Sequence, residues 1–520
     1  MATQPPQIPQ DLHIPTRPHG ILRGLERTPS SPQFEGRFGR MFRSLPPARF
    51  TEKELHDLAE AMVAAPSNPE TPEDAIPPDD EENTGTATDP GISAGYTYFG
   101  QFIDHDLTFD PASSLDKEND PDSLVDFRTP RFDLDSVYGR GPDDQPYLYQ
   151  EDGVRMLLGR PLTGNPHDSR SRDLPRNSPE KGRRRALIGD PRNDENVIVS
   201  QLQSAFLRFH NRVADKMGAT KPSDFPAVQR RVRWHYQWAV LCDFLPTILG
   251  RATLGDILPH LAAGTTSDRK PADLRFFKWR NDPFIPVEFS AAAYRFGHSM
   301  VRPVYRLNTT LPDRQPIFSK NLAGSLVGFG EFPANWAIEW PLFFKMGNNP
   351  PAGSHRLQPA YKIDSSLVNP LHDLPKIVVS TIPNLAERNL LRGWRMGLPS
   401  GQAVARKMGV PVLPDDKLRV GKATHDDTPK NRHLTEISAG FKNNAPLWYY
   451  VLAEAQQAFQ ANDTPIRLGP VGGRIVGEVF VGLLLGDRHS FLAQEPCWKP
   501  DYAVNGRFGM AELINMALEA

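Results

Sequence analysis

The sequence has few of the features that would place it among disulfide-rich or membrane proteins. It contains two cysteines, Cys242 and Cys497, so one disulfide is possible but a disulfide framework is excluded. Its longest strongly apolar stretch, near 479–486, is far shorter than the ~20 residues that a membrane span requires. The N-terminus has no basic region followed by an apolar run. We therefore expect no membrane span, and a soluble protein that is cytoplasmic or secreted without a recognisable signal peptide.

An excess of charge of one sign is also missing, because 60 Lys and Arg residues stand against 62 Asp and Glu residues. This balance argues against nucleic acid or an anionic membrane as a partner. Strand patterns are few and short, and no repeat of fixed length is present. The 52 prolines indicate long irregular connections. The sequence therefore predicts a mainly α fold, one large helical body with long loops and little β structure.

The spacing of apolar residues locates the main helices. A helix over 51–63 begins with a capping box formed by Thr51 and Glu54. A longer helix over 197–217 carries an apolar stripe that ends at Met217. The other predicted helices cover 226–245 (ending near Pro246), 287–302, 385–392, 400–408, 446–460, 471–486 and 510–519.

One stretch, FGQFIDHDLTFD at 99–110, sets polar groups among aromatic residues. Gln101 and His105 are four apart, so on a helix they share a face, whereas Asp104 and Asp106 point elsewhere. A lone histidine in an apolar run is more often a core residue with its hydrogen bonds satisfied. An imidazole, an amide and two carboxylates in aromatic surroundings also suit a buried reaction site. Residues elsewhere in the chain are needed to choose between these two interpretations.

Three further stretches carry polar groups that complement the first. Arg192 and Glu195 lie in GDPRNDEN, His298 follows Gly297 in YRFGHSMVRP, and Asn389 lies in RNLLRGWRMGLPSG. Each stretch alone is weak evidence for a functional site, because an Arg–Glu pair at this spacing is usually a solvated helix start and an asparagine is usually a helix cap. Together, two well-separated histidines with an arginine, carboxylates and an amide are what a haem with one axial and one catalytic histidine requires.

These stretches resemble, in order and sequence, the animal haem peroxidase family of the peroxidase–cyclooxygenase superfamily. The resemblance extends from about residue 90 to 490. The motifs that carry it are FGQFIDHDLTFD, RTPRFDLDSVYG, GDPRNDEN, QLQSAFLRFHNRVAD, YRFGHSMVRP, RNLLRGWRMGLPSG and GGRIVGEVFVGLLLGD.

The resemblance implies a catalytic role for three residues on the peroxide side. His105 matches the distal histidine, a neutral imidazole that takes a proton from hydrogen peroxide and returns it to the leaving oxygen. Arg192 matches the distal arginine, whose fixed charge stabilises the negative charge that grows as the O–O bond breaks. Gln101 matches the glutamine that positions water or a small anion over the iron.

Four residues are implied as contacts on the other side and at the edge of a haem b cofactor. His298 matches the proximal iron ligand. Asn389 matches the asparagine that hydrogen-bonds the other ring nitrogen of that ligand. Arg295 and Arg392 resemble the arginines that pair with haem propionates.

Asp104 and Glu195 correspond to the carboxylates that form ester bonds to haem methyl groups in mammalian-type members. Both are present, so covalently attached haem is compatible with the sequence. Asn196 stands where one subfamily has the methionine of a third, sulfonium link. That link is therefore absent, which argues against strong chloride oxidation.

The resemblance also implies calcium bound by the loop RTPRFDLDSVYG. Its alternate residues supply oxygen atoms, as a hard cation prefers. The implied ligands are the side chain and carbonyl of Thr129, the carbonyl of Arg131, and the carboxylates of Asp133, Asp135 and Asp106. Taken without the family, DLDS is an ordinary Asp-rich turn.

For the whole chain, the resemblance implies an extended arm over 1–50 and one haem peroxidase domain over 51–520. We expect a monomer that reduces hydrogen peroxide and oxidises a small reducing substrate through an oxoferryl intermediate. The implied donors are bromide, iodide, thiocyanate or a phenol.

Two other functions remain open from the sequence. Relatives that oxygenate fatty acids use a tyrosine three residues before the proximal histidine, where this chain has Arg295. Tyr294, four residues before His298, would face about 100° away on a helix. A haem sensor or store without turnover is the other alternative, although simple binding would not need Gln101, His105 and Arg192.

Overall fold

The computed structural model describes residues 36–63, 81–86, 89, 91–108, 125–126, 129–259, 272–280, 283–319, 324–347, 349, 356–379 and 381–519. Most of the predicted N-terminal arm, residues 1–35, lies outside the described residues, as do Phe109 and Asp110. Of the arm, Phe38, Met41 and Phe42 are buried in the body.

The described part of the chain is built mainly from α-helices of very different length. These are α1 (Glu52–Ala61), α2 (Ala94–Leu107), α3 (Asp135–Tyr138), α4 (Val197–Lys216), α5 (Phe225–Ala239), α6 (Leu245–Leu249), α7 (Arg251–Ile257), α8 (Val287–Ser290), α9 (Leu385–Arg395), α10 (Gly401–Met408), α11 (Leu434–Ile437), α12 (Leu447–Ala455), α13 (Gln457–Gln460), α14 (Pro470–Gly486), α15 (Phe491–Gln494) and α16 (Met510–Leu518).

Short 3₁₀ helices and one π-helical segment connect these elements. The 3₁₀ helices are Pro146–Leu148, Pro191–Asp194, Pro222–Asp224, Ala293–His298, Trp340–Leu342, Asn369–Leu371, Asp415–Lys417 and Ala439–Phe441, and the π-helical segment is Val240–Phe244.

The strands are short and form three small sheets among the described residues. The first has the order β2 (Val125–Asp126), β1 (Gly36–Gly39), β3 (Ile285–Pro286), with β1 antiparallel to β2 and parallel to β3. The other two are antiparallel pairs, β4 (Val304–Tyr305) with β5 (Gln315–Pro316) and β6 (Arg419–Val420) with β7 (Arg432–His433). The prediction of a mainly α fold is confirmed.

Helices α1 and α4 form where their sequence patterns predict them. At the start of α1, Thr51 and Glu54 make the reciprocal bonds of a capping box. In α4, Phe206 and Phe209 are buried, as the stripe requires. The prediction that Met217 continues this stripe is wrong, because the helix ends at Lys216 and Met217 is 40% exposed.

The helix predicted over 226–245 does not end at Pro246. It passes from α5 through the π-helical segment Val240–Phe244 into α6. Pro246 comes just after the π-helical segment. A proline inside a continuing helix removes one hydrogen bond of the regular pattern, and the helix departs from that pattern in the segment just before it.

The prediction of a single helix over 287–302 is wrong. The chain forms α8, leaves helical geometry at Ala292 with φ −138° and ψ −78°, and then forms the 3₁₀ helix that ends at His298. Other groups satisfy this backbone: Trp448 Nε1 donates to the Arg295 carbonyl at 3.2 Å, and Arg295 Nε donates to the Ser290 carbonyl at 2.8 Å. The break places His298 at the end of an element and not in the middle of one.

Aromatic packing holds α2 in the centre of the molecule. Phe102 stacks on Phe206 of α4 with ring centroids 4.4 Å apart and planes 10° apart. Phe99 makes an edge contact with Phe244 at 5.6 Å. Because both rings of α2 are fully buried, the polar residues between them are held in a rigid frame.

Candidate active site

The two histidines singled out by the sequence line one cavity of about 540 Å³. Helix α2 contributes Gln101 and His105, four residues apart on one face, together with Asp104. The 3₁₀ helix Ala293–His298 contributes His298. A Cβ added to Gly297 would meet nothing within 4 Å, so space is open beside the backbone next to His298.

The ring of His105 is fixed by a residue that the sequence reasoning missed. Asn193 Nδ2 donates to Gln203 Oε1 at 2.9 Å, so its Oδ1 is left to accept from His105 Nδ1 at 2.7 Å. Nε2 is then the basic nitrogen, 3.7 Å from Glu195 Oε1. Burial and the Arg192 guanidinium lower the pKa of His105 to about 4. The imidazole is therefore neutral at pH 7, with its lone pair on the nitrogen left for the cavity.

Arg192 is held beside His105 by several oxygen atoms. It lies in the 3₁₀ helix Pro191–Asp194, which Asp190 caps by accepting from Arg192 N at 2.8 Å. The guanidinium pairs with the Asp190 carboxylate at 2.7 Å and donates to the carbonyls of His105, at 3.1 Å, and of Thr108. Asp190 was also missed, although an aspartate directly before a proline is a common start of a helix.

Glu195 and Gln101 are hydrogen-bonded to each other on the same side of the cavity. Gln101 Nε2 donates to Glu195 Oε1, and Asn196 Nδ2 donates to Gln101 Oε1 at 3.1 Å. Burial raises the pKa of Glu195 to about 7, although Arg192 opposes this effect. All three side chains line the cavity.

His298 is paired with Asn389, as predicted from the two separate motifs. The Asn389 amide nitrogen lies 2.8 Å from His298 Nδ1. Burial and the Arg295 guanidinium lower the pKa of His298 to about 3, so the ring is neutral. Asn389 is not a helix cap, since it lies within α9 and is 2% exposed, and Asn384 caps that helix instead.

The residues expected at the cofactor edge gather at one end of the cavity. Asp104, Arg295 and Arg392 line both this cavity and an adjoining one of about 110 Å³, and Arg192, expected on the peroxide side, lines both as well. Thr108 Oγ1 donates to Asp104 Oδ1 at 3.2 Å. Three arginines near one edge suit a ligand that carries carboxylates.

The acidic residues expected to hold calcium also come together. Oxygen atoms of Asp106, Asp133 and Asp135 lie within 4.8 Å of one another. Thr129 Oγ1 donates to Asp133 Oδ2 at 2.7 Å, and Arg131 N donates to the Thr129 carbonyl at 2.8 Å, so both belong to the same loop turn. The Asp106 carboxylate accepts from Leu134 N and Ser136 Oγ, each at 3.2 Å, which ties α2 to this loop.

Comparison with known proteins assigns the chain to a family. Residues 115–491 match the family model described as animal haem peroxidase. The chain therefore belongs to the animal haem peroxidase family, and the expected resemblance is confirmed. The matched range begins after α2 and does not include Gln101 and His105. The placement of these two residues in the site therefore depends on the geometry described above.

The sequence relatives are much longer proteins. The chain is 33% identical to the dual oxidase of Drosophila melanogaster over 168 residues, which is 31% of this chain and 9% of that protein. It is 25% identical to human eosinophil peroxidase over 277 residues, 52% of this chain and 35% of that protein. The chain thus spans about a third or less of the length of these relatives.

Solved structures with low sequence identity share the fold. Peroxidase A of Dictyostelium discoideum superposes with a TM-score of 0.61 at 16% identity, covering 94% of each chain. The fatty acid α-dioxygenase of Oryza sativa superposes with a TM-score of 0.54 at 14% identity, covering 94% of this chain and 79% of that one. No helix among the described residues is both long and apolar enough to cross a membrane.

The residues that line the cavity fit a haem group. Two neutral imidazoles face it from different elements, each with one ring nitrogen held by an asparagine. An imidazole that binds iron through Nε2 carries its proton on Nδ1 and needs an acceptor there. The amide nitrogen of Asn389 faces Nδ1 in this structure and its oxygen lies 3.4 Å from Arg295 Nη1, so haem binding would require the amide to turn. The arginines at one edge supply the charge that two propionates need.

Proposed function

We propose that this chain is a haem peroxidase that reduces hydrogen peroxide and oxidises a small donor. The observation that carries the proposal is the orientation of His105, whose Nδ1 is held by Asn193 at 2.7 Å while Nε2 is left for the cavity. His210 is a buried neutral histidine that only packs, and its two ring nitrogens bond to Tyr138 and Val154. His105 instead has one ring nitrogen on the side of the cavity. The same cavity contains His298, which would bind the haem iron.

His105 would act as the general base and then as the general acid. Its lowered pKa keeps Nε2 unprotonated, so it could take a proton from one oxygen of hydrogen peroxide held in the cavity. Returning that proton to the other oxygen would turn a poor leaving group into water. Asn193 keeps the ring in the tautomer that can do this.

Arg192 would stabilise the negative charge on the departing oxygen. The contacts of its guanidinium with Asp190 and with the carbonyls of His105 and Thr108 keep it from rotating away. A charge fixed before the reaction needs no reorganisation when the bond breaks. The chemistry that a bound haem would supply is electron transfer, from the cofactor to the peroxide and from the donor back to the cofactor.

On the proximal side, His298 would be the iron ligand and Asn389 would set its tautomer. Arg295 and Arg392 would pair with the propionates, and Asp104 and Glu195, which line the cavity, would form the ester bonds to haem. Calcium at Asp106, Asp133 and Asp135 would hold α2, and with it His105, against the neighbouring loop. The proposed donors are bromide, iodide, thiocyanate and phenols.

The proposal is tested by mixing haem-loaded protein with hydrogen peroxide and following the haem absorption spectrum within milliseconds. We expect a rapid change that a reducing donor reverses. If the spectrum of the ferric protein does not change, the peroxidase proposal fails and a non-catalytic haem-binding role replaces it. A screen of halides, thiocyanate and phenols as donors then identifies the substrate.

Ester attachment is tested by extraction with acidified butanone after peroxide treatment. If haem is linked through Asp104 and Glu195, it stays with the protein. Asp104→Asn and Glu195→Gln each remove one attachment point, so the double variant should release all of its haem. Complete release from the unmodified protein would exclude the ester bonds.

A fatty acid dioxygenase is the second candidate, and Tyr294 is the observation that favours it. Its ring lines the cavity and stacks on Phe289 with centroids 4.8 Å apart, and its hydroxyl donates to the Gly100 carbonyl at 3.1 Å. A tyrosine on the cavity wall is needed for a radical that attacks a fatty acid. Oxygen uptake with a fatty acid, abolished by Tyr294→Phe, would replace the peroxidase proposal.

A further inference from the structure

The orientation of the Asn196 side chain is set by the start of α4. Its Oδ1 accepts from the backbone nitrogens of Ile198 at 3.0 Å and Val199 at 2.9 Å. Because a backbone N–H can only donate, the atom that faces these two groups must be the amide oxygen. The amide nitrogen of Asn196 must therefore point away from the helix.

The position of this nitrogen fixes the orientation of the Gln101 amide. Asn196 Nδ2 donates to Gln101 Oε1 at 3.1 Å, so the oxygen of Gln101 faces Asn196. Gln101 Nε2 then faces Glu195, whose carboxylate accepts from it. An amide nitrogen carries two hydrogens, and Glu195 takes one, which leaves the second for a ligand in the cavity that Gln101 lines.

The backbone around Asn196 is held as firmly as its side chain. Residues 195–197 run beside residues 326–328, with Val197 N donating to the Leu326 carbonyl at 2.9 Å and Gly328 N donating to the Glu195 carbonyl at 3.0 Å. A Cβ added to Gly328 would lie 1.9 Å from the Asp194 carbonyl oxygen, so this close approach requires glycine. Asn196 itself is 4% exposed.

We propose that Asn196 is a positioning residue that holds the Gln101 amide with its hydrogen-bond donor toward the cavity. An anion in the cavity would accept from Gln101 Nε2, whereas the carbonyl oxygen would repel it. This inference rests on the proposed peroxidase function and names the residue that keeps the donor of Gln101 in place.

The test measures the affinity of the haem-loaded full chain for azide, a small anion, and for imidazole, a neutral ligand, by titration of the haem absorption. Asn196→Ser keeps a side-chain oxygen for the helix cap but is too short to reach Gln101. We expect its Kd for azide to rise about tenfold, the effect of losing one hydrogen bond to a charged group. We expect its Kd for imidazole to change by less than about twofold, because imidazole needs no donor from Gln101.

Two further variants separate this effect from stability. Asn196→Asp keeps the cap but replaces the amide donor by an oxygen, so Gln101 should turn its nitrogen to it and azide binding should weaken without loss of thermal stability. Asn384→Ser is the matched control, because Asn384 caps α9 in the same way and its amide donates to Glu60 at 3.0 Å, outside the cavity. Its azide affinity should match that of the unmodified protein.

Equal weakening of azide and imidazole binding by Asn196→Ser would overturn the proposal, as would the same azide loss in Asn384→Ser. If neither Asn196 variant retains haem, the residue serves the fold alone and the proposal is also overturned. Azide binding requires no peroxide, so this result stands whether or not the protein cleaves hydrogen peroxide. The two proposals can therefore fail separately.

Discussion

At the scale of single residues, an asparagine lies against one ring nitrogen of each of the two cavity histidines. Asn193 accepts from His105, and the Asn389 amide contacts His298. Asparagine can fix a ring without adding charge, so both imidazoles stay neutral in a buried site. A carboxylate in either place would favour the imidazolium and remove the lone pair that the proposed chemistry needs.

Replacing the proposed general base tests this directly. We expect His105→Gln to retain haem and to slow the reaction with hydrogen peroxide by about a factor of 10² to 10⁴, as for loss of a general base. Stopped-flow absorption measures the rate. His210→Gln is the control, because His210 is also buried but bonds to Tyr138 and Val154. Equal slowing in both variants would assign the effect to packing.

The pH dependence gives a second prediction at this scale. His105 must be unprotonated to react, and burial with Arg192 lowers its pKa to about 4. The rate with peroxide should therefore fall only as the pH drops toward 4. Asn193→Asp places a negative charge beside Nδ1, which stabilises the imidazolium and raises the pKa, so the fall should begin at higher pH. An unchanged acid limb in this variant would show that His105 is not the titrating base.

At the scale of elements, patterns within one segment were enough to predict a mainly α fold and several of its helices. The capping box of α1, the apolar stripe of α4 apart from Met217, and the four-residue spacing of Gln101 and His105 are local features, and they appear as predicted. The break of the helix predicted over 287–302 has no such signal, because one of the hydrogen bonds that satisfy it comes from Trp448, far along the chain.

Some partners of the site residues were predicted and others were missed, because only some of them have a signal in the local sequence. The pairing of His298 with Asn389 was expected from the family motifs alone. Asp190 had a recognisable signal before a proline, whereas Asn193 had none, since its role depends on Gln203, nearly two turns into the next helix. Asn196 was noted only for the methionine it replaces, and its contact with Gln101 requires the structure.

We predict that bound calcium stabilises the contact between helix α2 and the loop 129–135. Removing calcium with a chelator should lower the melting temperature and slow the reaction with peroxide, because Asp106 adjoins His105 on α2. Asp133→Asn should reproduce both effects and reduce bound calcium. Asp143→Asn, an exposed change in the same region, should do neither. Metal analysis that finds no calcium in the purified protein would contradict this prediction.

At the scale of the whole molecule, the cavity is where distant parts of the chain meet. Helix α2 supplies His105, the segment after Asp190 supplies Arg192, and later segments supply His298 and Asn389. These segments are separated by long stretches of sequence. A haem held between them would therefore add contacts to those that already join these segments, such as Asn193 with His105 and Asn389 with His298.

Haem loading should accordingly stabilise the entire fold. A ligand that binds only the folded state adds about 2.7 kcal/mol when its free concentration is 100 times its Kd. We expect the melting temperature measured by calorimetry to be higher with haem than without it, and His298→Ala to remove most of that increase. The apo form of this variant should melt close to the apo wild type, because the His298 ring borders the cavity and its removal breaks one hydrogen bond. If haem raises both proteins equally, His298 is not the residue through which the cofactor is held.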